Sequence, residues 1–428
     1  MKTNLTKTDL LPAGLSSRKL LKRLFECDSP EEVVRTIPAQ SLFLALRREG
    51  LESIAEVVEI ASLEQCRLFL DFDSWKKDKF QEDNFWEWLE LLDVKHDFGL
   101  LKKVARAADQ KLFVLLISRY VDVQQFDNPT EEQPGEHWYT PDKGYTWIHL
   151  HTEDEHKDFL LGRLLAFIFE TDADWFYQLL AAPNVSTPTE LEESAYQEKT
   201  KRLCAEGIPD DERAFEINAP LAESRVLALL KQNAKAPIVG DVIIISPLIY
   251  DSSTVQPLAG VLREVAAQHD IEPELTLIMN AAIVRWLDEL HDTDAVQLLS
   301  TKVKGAMNIG LESALKLTSL SGVELFEILG AQNLYRFGLE QLNGIRAAAK
   351  RVEQLQLRSL EESNQSTSVL AGALEPFPEM PTFLQPDGSL VSDEHGVMPG
   401  GYKAIETMAE VTVLKDIFSK LLAETPAS

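Results

Sequence analysis

Helix starts recur along this chain, and they constrain its fold more than any other feature. Ser29-Pro30-Glu31-Glu32, Ser62-Leu63-Glu64-Gln65 and Thr187-Pro188-Thr189-Glu190 each have the pattern of a capping box. In that pattern a hydroxyl accepts from the backbone N–H three residues on, and a carboxylate or amide reaches back. Pro30 and Pro188 stand at the first helical position, where a missing N–H costs nothing. Asp109 opens a further apolar helix with a simpler cap. Ile37-Pro38, Gly50-Leu51 and Gly207-Ile208-Pro209 read as stops. Units this short bury their apolar stripes only against neighbours, so the expectation over residues 15–127 is a superhelical array of repeated short helices.

Periodicity fills in the rest. Phe85, Trp88, Leu89 and Leu92 fall on one helical face, with Trp75, Phe80 and Trp86 nearby, and read as core. Trp138–Ile148 places β-formers around Pro141-Asp142-Lys143-Gly144 and predicts a hairpin. A helix follows from about Glu153, and another runs from Thr187 to Glu206. Val242-Ile243-Ile244-Ile245 fits either a short buried strand or a helix start. Residues 254–356 return to helix, and 357–372 are rich in Ser, Glu and Gln, as linkers are. Residues 376–401 hold five prolines and a Pro386-Asp387-Gly388 turn, the composition of an arm, before a final helix over 403–422.

The fold class expected is mainly α. Its parts are a helical-repeat domain at 15–127, a small β-hairpin with a central helical block at 128–235, a C-terminal helical domain at 236–356, and a linker, proline-rich arm and terminal helix at 357–428.

Charge excludes several functions. Against 42 Lys and Arg stand 69 Asp and Glu in 428 residues, a net charge of −27. Such a chain repels nucleic acid and anionic lipid. Its hydrophobic content of 45% is enough to build cores, so it is not an acidic disordered tail. Cys27, Cys66 and Cys204 are too few and too scattered for a disulfide framework or a zinc ribbon. Met1–Arg23 has no apolar leader segment, and the apolar runs at Phe159–Phe169 and Val242–Tyr250 are too short to span a membrane. A soluble, cytoplasmic protein is the expectation.

The glycine-rich phosphate loops, the G-x-S-x-G elbow, H-E-x-x-H and the EF-hand loop are all missing from the sequence. One cluster stands out. His149-Leu150-His151-Thr152-Glu153-Asp154-Glu155-His156 holds three of the eight histidines. On a strand, His149 and His151 share a face. His156, with Glu153 or Asp154 beside it, would open the next helix. Imidazoles and a carboxylate at such a junction suit zinc, manganese or iron, so His149, His151, His156 and Glu153 are the candidate metal ligands. The competing reading makes the acidic run a helix N-terminus and the histidines ordinary strand residues. Asp387, Asp393, Glu394 and His395 form a second polar cluster that reads as a solvated turn, and Glu49, Glu52, Glu56 and Glu59 read as a solvated face.

Several stretches carry a resemblance. Leu191-Glu192-Glu193-Ser194-Ala195-Tyr196, Arg202-Leu203, Gly207-Ile208-Pro209 and Ile217-Asn218-Ala219-Pro220-Leu221 lie in one region. Earlier come Ser62, Gln65, Leu70-Asp71, Asp73, Trp75 and Asp78; later come Asn308-Ile309-Gly310-Leu311-Glu312 and Leu334-Tyr335-Arg336-Phe337-Gly338. Together they resemble a bacterial family of unknown function, number six-one-seven-eight in the DUF series, with Asn218 standing where the family pattern has Tyr. The N-terminal helices are similar to the intracellular helical domain of MgtE-type magnesium transporters, a regulatory and packing module. The resemblance implies a helical N-terminal domain in a bacterial protein and assigns no activity.

The leading functional expectation is a non-catalytic protein-interaction or scaffold protein, docking through its N-terminal helices or the 376–401 arm. The alternatives are a metal-binding hydrolase or a divalent-cation sensor, the latter reaching to magnesium by analogy with the transporter domain. Partners expected are proteins, with a homo-oligomer possible in principle, and neither nucleic acid nor a membrane span.

Overall fold

A computed structural model of the chain describes residues 24, 27, 29–47, 51–94, 98–181, 186–232, 255–288, 293–356, 364–392, 395 and 397–424. The leader reading at 1–23, the stop at Gly50, the Val242–Ile245 run, and Asp393 and Glu394 lie outside them. The described residues form 18 helices and three two-stranded sheets, so the fold is mainly α. The chain divides into two compact units, one of 1–205 with 288–291 and one of 206–287 with 292–428.

In the first unit, α1 (Pro30–Thr36), α2 (Ala39–Arg47), α3 (Leu51–Ile60) and α4 (Leu63–Asp73) are short and tightly punctuated. A two-residue hairpin, β1 (Trp75–Lys76) with β2 (Lys79–Phe80), leads into α5 (Glu82–Val94), α6 (Phe98–Ala107) and α7 (Gln110–Tyr120). The Ser62 capping box forms in full, with Gln65 N–H donating to Ser62 Oγ and Ser62 N–H to Gln65 Oε1. The Gln65 amide also donates to the carbonyls of Val34 and Ile37, at 2.9 and 2.8 Å. One capping residue therefore starts α4 and ends α1, which satisfies helix-end groups that would otherwise be orphaned. The Ser29 box is a correction: α1 starts at Pro30 as expected, but Ser29 makes no side-chain cap.

The aromatic face of α5 is core, with Phe85, Trp88 and Leu89 all at 2% exposure or less. Phe85 meets Phe113 of α7 edge-on at 5.8 Å. Trp88 Nε1 donates to the buried Asp73 at 2.8 Å, giving the indole the partner that its burial requires. The helix α10 (Pro188–Ala205) starts at the Thr187 box and ends before Gly207, which has a φ of +78°. Arg202 on α10 grips Asp71 of α4 with two bonds of 2.8 Å and reaches Asp109, the cap of α7, at 3.1 Å.

The second unit comprises α11 (Asp211–Ile217), α12 (Glu223–Gln232), α13 (Leu258–Ala266), α14 (Glu272–Trp286), α15 (Thr293–Leu315), α16 (Gly322–Gln356), α17 (Asn364–Leu374), β5 (Glu379–Pro381), β6 (Tyr402–Ala404) and α18 (Met408–Glu424). Asn218 sits at the centre of a buried network. Its amide donates to the carbonyls of Ala214 and Ala281, and its oxygen accepts from Trp286 Nε1 and Tyr335 Oη. All its polar capacity is used inside the core, so Asn218 has a structural role. Burial pushes the Glu274 carboxyl up, and that side chain accepts from Gln332 N–H just past the break at Gly330, where φ is +72°.

Two expectations at the C-terminal end are corrected. Residues 364–372, read as linker, belong to α17, because Val369, Leu370 and Ala373 bury an apolar face. The proline-rich segment folds back on its own unit: β5 pairs with β6, and Phe377, Met380, Phe383 and Leu384 are buried. The turn at Pro386-Asp387-Gly388 does form, with Leu384 bridging Leu390 and Gly388 at a φ of +81°. None of the helices is long and apolar enough to cross a membrane, among the described residues.

Candidate metal centre

The histidine cluster lies in the first unit, on a ribbon made of β3 (Val121–Gln125) and β4 (Thr146–Leu150). Sequence reading placed β4 in a local hairpin with residues 138–140. Instead its main partner is β3, in antiparallel register from Val121 opposite Leu150 to Gln125 opposite Thr146. Only Tyr139, bridging Ile148, keeps the expected pairing. The strand β3 runs straight out of α7, whose last carbonyl bond comes from Val121 N–H to Ile117.

Alternation then sorts the side chains. Thr146, Ile148 and Leu150 turn inward: the first two are buried, and Leu150 lies against Gly162 of α8 (Glu155–Thr171). Asp122, His149 and His151 share the opposite, outer face. Asp122 is directly across from His149, and His151 lies one residue past the end of β4.

The three ligand atoms all lie within 4.8 Å of one another. Asp122 Oδ2 is 3.4 Å from His149 Nδ1 and 3.7 Å from His151 Nδ1. Ligands placed about 2.1 Å from a tetrahedral ion are about 3.4 Å apart, so the cluster is close to ligating dimensions. The two imidazoles stack at 6.0 Å with planes 17° apart, and Trp138 stacks on the outer side of His149 at 5.5 Å. Asp122 stays 60% exposed and His151 43%, which leaves the side away from the ribbon open.

A clamp holds the loop that carries Trp138. Asp142 accepts from Thr140 Oγ1, Thr146 N–H and Tyr177 Oη of α9 (Ala173–Ala181), at 3.0, 2.7 and 2.9 Å. Burial pushes the Asp142 carboxyl up, but the bonds from Thr146, Tyr177 and Thr140 outweigh it and hold the group below its ordinary value. Gly144 closes the turn at a φ of +100°, with its N–H donating to Thr140 Oγ1.

The four residues picked from sequence part company here. His149 and His151 come together. His156 sits on the first turn of α8, stacks on Phe159 at 6.4 Å and has Nε2 3.6 Å from Glu90 of α5. Glu153 stands exposed in the turn before α8, while Asp154 caps that helix by accepting from His156 N–H. The carboxylate in the cluster is Asp122, which sequence reasoning missed. Its signal was the Val121-Asp122-Val123 alternation, which marks a strand immediately after a helix.

The family described as "Family of unknown function (DUF6178)" matches residues 6–427. The chain belongs to this family. No curated protein and no solved structure matches it. The DUF6178 match takes in both compact units and every residue of the ribbon cluster.

Proposed function

We propose that this protein is a non-catalytic interaction protein that depends on a divalent transition-metal ion held by Asp122, His149 and His151. The observation that carries the reading is the convergence of two imidazoles and one carboxylate, from two strands, within 4.8 Å. Two nitrogens and one oxygen favour zinc, iron(II) or manganese over calcium or magnesium, which prefer oxygen-rich shells. Three protein ligands leave at least one coordination position free. That position lies beside Asp122 and His151, whose side chains are 60% and 43% exposed. Such a setting suits a ligand brought by a partner better than a metal-bound water shielded for hydrolysis.

Elemental analysis of the purified chain, followed by zinc titration calorimetry, tests the reading. About one ion per chain is expected, with His151→Ala and Asp122→Asn each weakening binding by about tenfold or more. His156→Ala should leave zinc binding unchanged, because its ring faces Glu90. A wild-type chain that takes up no transition metal in either measurement sinks the proposal.

A further inference from the structure

The outer edge of β3 is open, and hydrogen bonding identifies it. Phe126 N–H donates to Tyr145 O at 2.9 Å, and His151 N–H donates to Tyr120 O at 3.1 Å. Residues 120, 122, 124 and 126 therefore turn their backbone groups toward β4, and Val123 and Gln125 turn theirs away. On the far side of β4, Ile148 and Tyr139 exchange bonds of 2.8 and 2.9 Å and Thr146 N–H donates to Asp142, so that side is covered at Thr146 and Ile148. On β3, no described residue accepts from the N–H of Val123 or Gln125. Unpaired edges of this kind are templates for an added strand.

Charge and side-chain alternation say what fits. Residues 121–136 carry Asp122, Asp127, Glu131, Glu132 and Glu136 and no Lys or Arg. A second copy of this edge would set like charges against each other, so self-pairing is disfavoured. A strand added beside β3 would lie about 4.8 Å from it. Its residue opposite Asp122 would project onto the metal face, and its neighbours would project inward beside the half-buried Val121 and Val123.

We infer that the edge of β3 docks an extended basic peptide of a partner protein in antiparallel register, whose outward residue beside Asp122 supplies a further ligand to the same metal. This rests on the metal reading above. The fitting pattern alternates outward basic residues and inward aliphatic ones around a central outward histidine.

The test uses the full chain loaded with zinc and a fluorescent peptide, Lys-Val-Lys-Val-His-Val-Lys-Val-Lys. Its control is the same peptide N-methylated at the two valines that flank the histidine, which keeps every side chain and removes the pairing donors. Binding read by anisotropy should need zinc and should weaken on the order of tenfold with the methylated peptide. Val123→Pro in the protein removes an outward N–H, a change edge strands tolerate, and should weaken peptide binding similarly while zinc uptake stays constant. A chain that takes up zinc but binds both peptides alike, or neither, overturns strand addition alone. A chain that takes up no zinc overturns the metal reading itself.

Discussion

Gly338→Ala is expected to destabilise the second unit by about 4 kcal/mol or more, or to abolish its folding. A Cβ at Gly338 would lie 1.7 Å from the carbonyl oxygen of Ala306, and one at Gly310 would lie 1.9 Å from that of Leu334. The helices α15 and α16 thus meet backbone to backbone at two points, each glycine admitting the carbonyl of the other helix. The obstructing atoms are main chain, so no rotamer change relieves the clash, and the helices must separate along their length. Separation would open the close-packed layer that holds Leu334, Tyr335 and Phe337, all at 1% exposure or less. Gly344→Ala is the control on the same helix. Its Cβ would meet only Lys415 Cε, at 3.8 Å. Removing that glycine's conformational freedom should leave stability unchanged or raise it by about 0.5–1 kcal/mol. Urea denaturation followed by far-UV circular dichroism, with limited proteolysis to assign the transition to 206–428, measures both. Equal midpoints for Gly338→Ala and wild type would refute the close-contact account.

Local chemistry was the legible part of this fold. Ser62 and Thr187 announced their helices because a capping box is complete within four residues, and the structure forms both boxes. Ser29 has the same letters, yet its backbone, at φ −140° and ψ 74°, leaves the hydroxyl uncapped. The strand β3 was hidden because residues 15–127 read as short helices throughout, and because its partner lies more than twenty residues downstream. Asp122 was hidden for the same reason. A metal cluster searched along the chain finds Glu153 and His156, whereas register, which chain order does not reveal, brings Asp122 opposite His149. The glycines at 310 and 338 did carry a signal. Glycine inside a helix is unfavourable unless packing requires it, and both sit in the most strongly helical stretch.

Arg202→Met is expected to destabilise the first unit by about 3–5 kcal/mol, because it leaves the Asp71 carboxylate buried without its cation. Asp71 is 5% exposed and receives both bidentate bonds from Arg202, which also ties Asp109 at the start of α7. Burial pushes the Asp71 carboxyl above its ordinary value even with the guanidinium pulling it down. Without Arg202 its hydrogen bonds and charge no longer pull the carboxyl down, and the more distant charge of Lys199 is left to oppose burial. A carboxyl whose folded pKa exceeds its unfolded one binds protons more tightly when folded. Its stabilising contribution is therefore fully present below the unfolded value and is lost as pH rises through the folded one. The variant's deficit should accordingly be greatest at neutral pH and shrink as the medium is acidified toward the ordinary carboxylate range. Asp71→Asn paired with Arg202→Met should recover part of the loss at neutral pH, since a neutral amide needs no counter-charge. Denaturation midpoints for the single and double variants across that pH range decide the matter. A deficit in Arg202→Met that is constant with pH, and unrelieved by Asp71→Asn, would mean that Arg202 holds α10 by the packing of its aliphatic stem rather than by its charge.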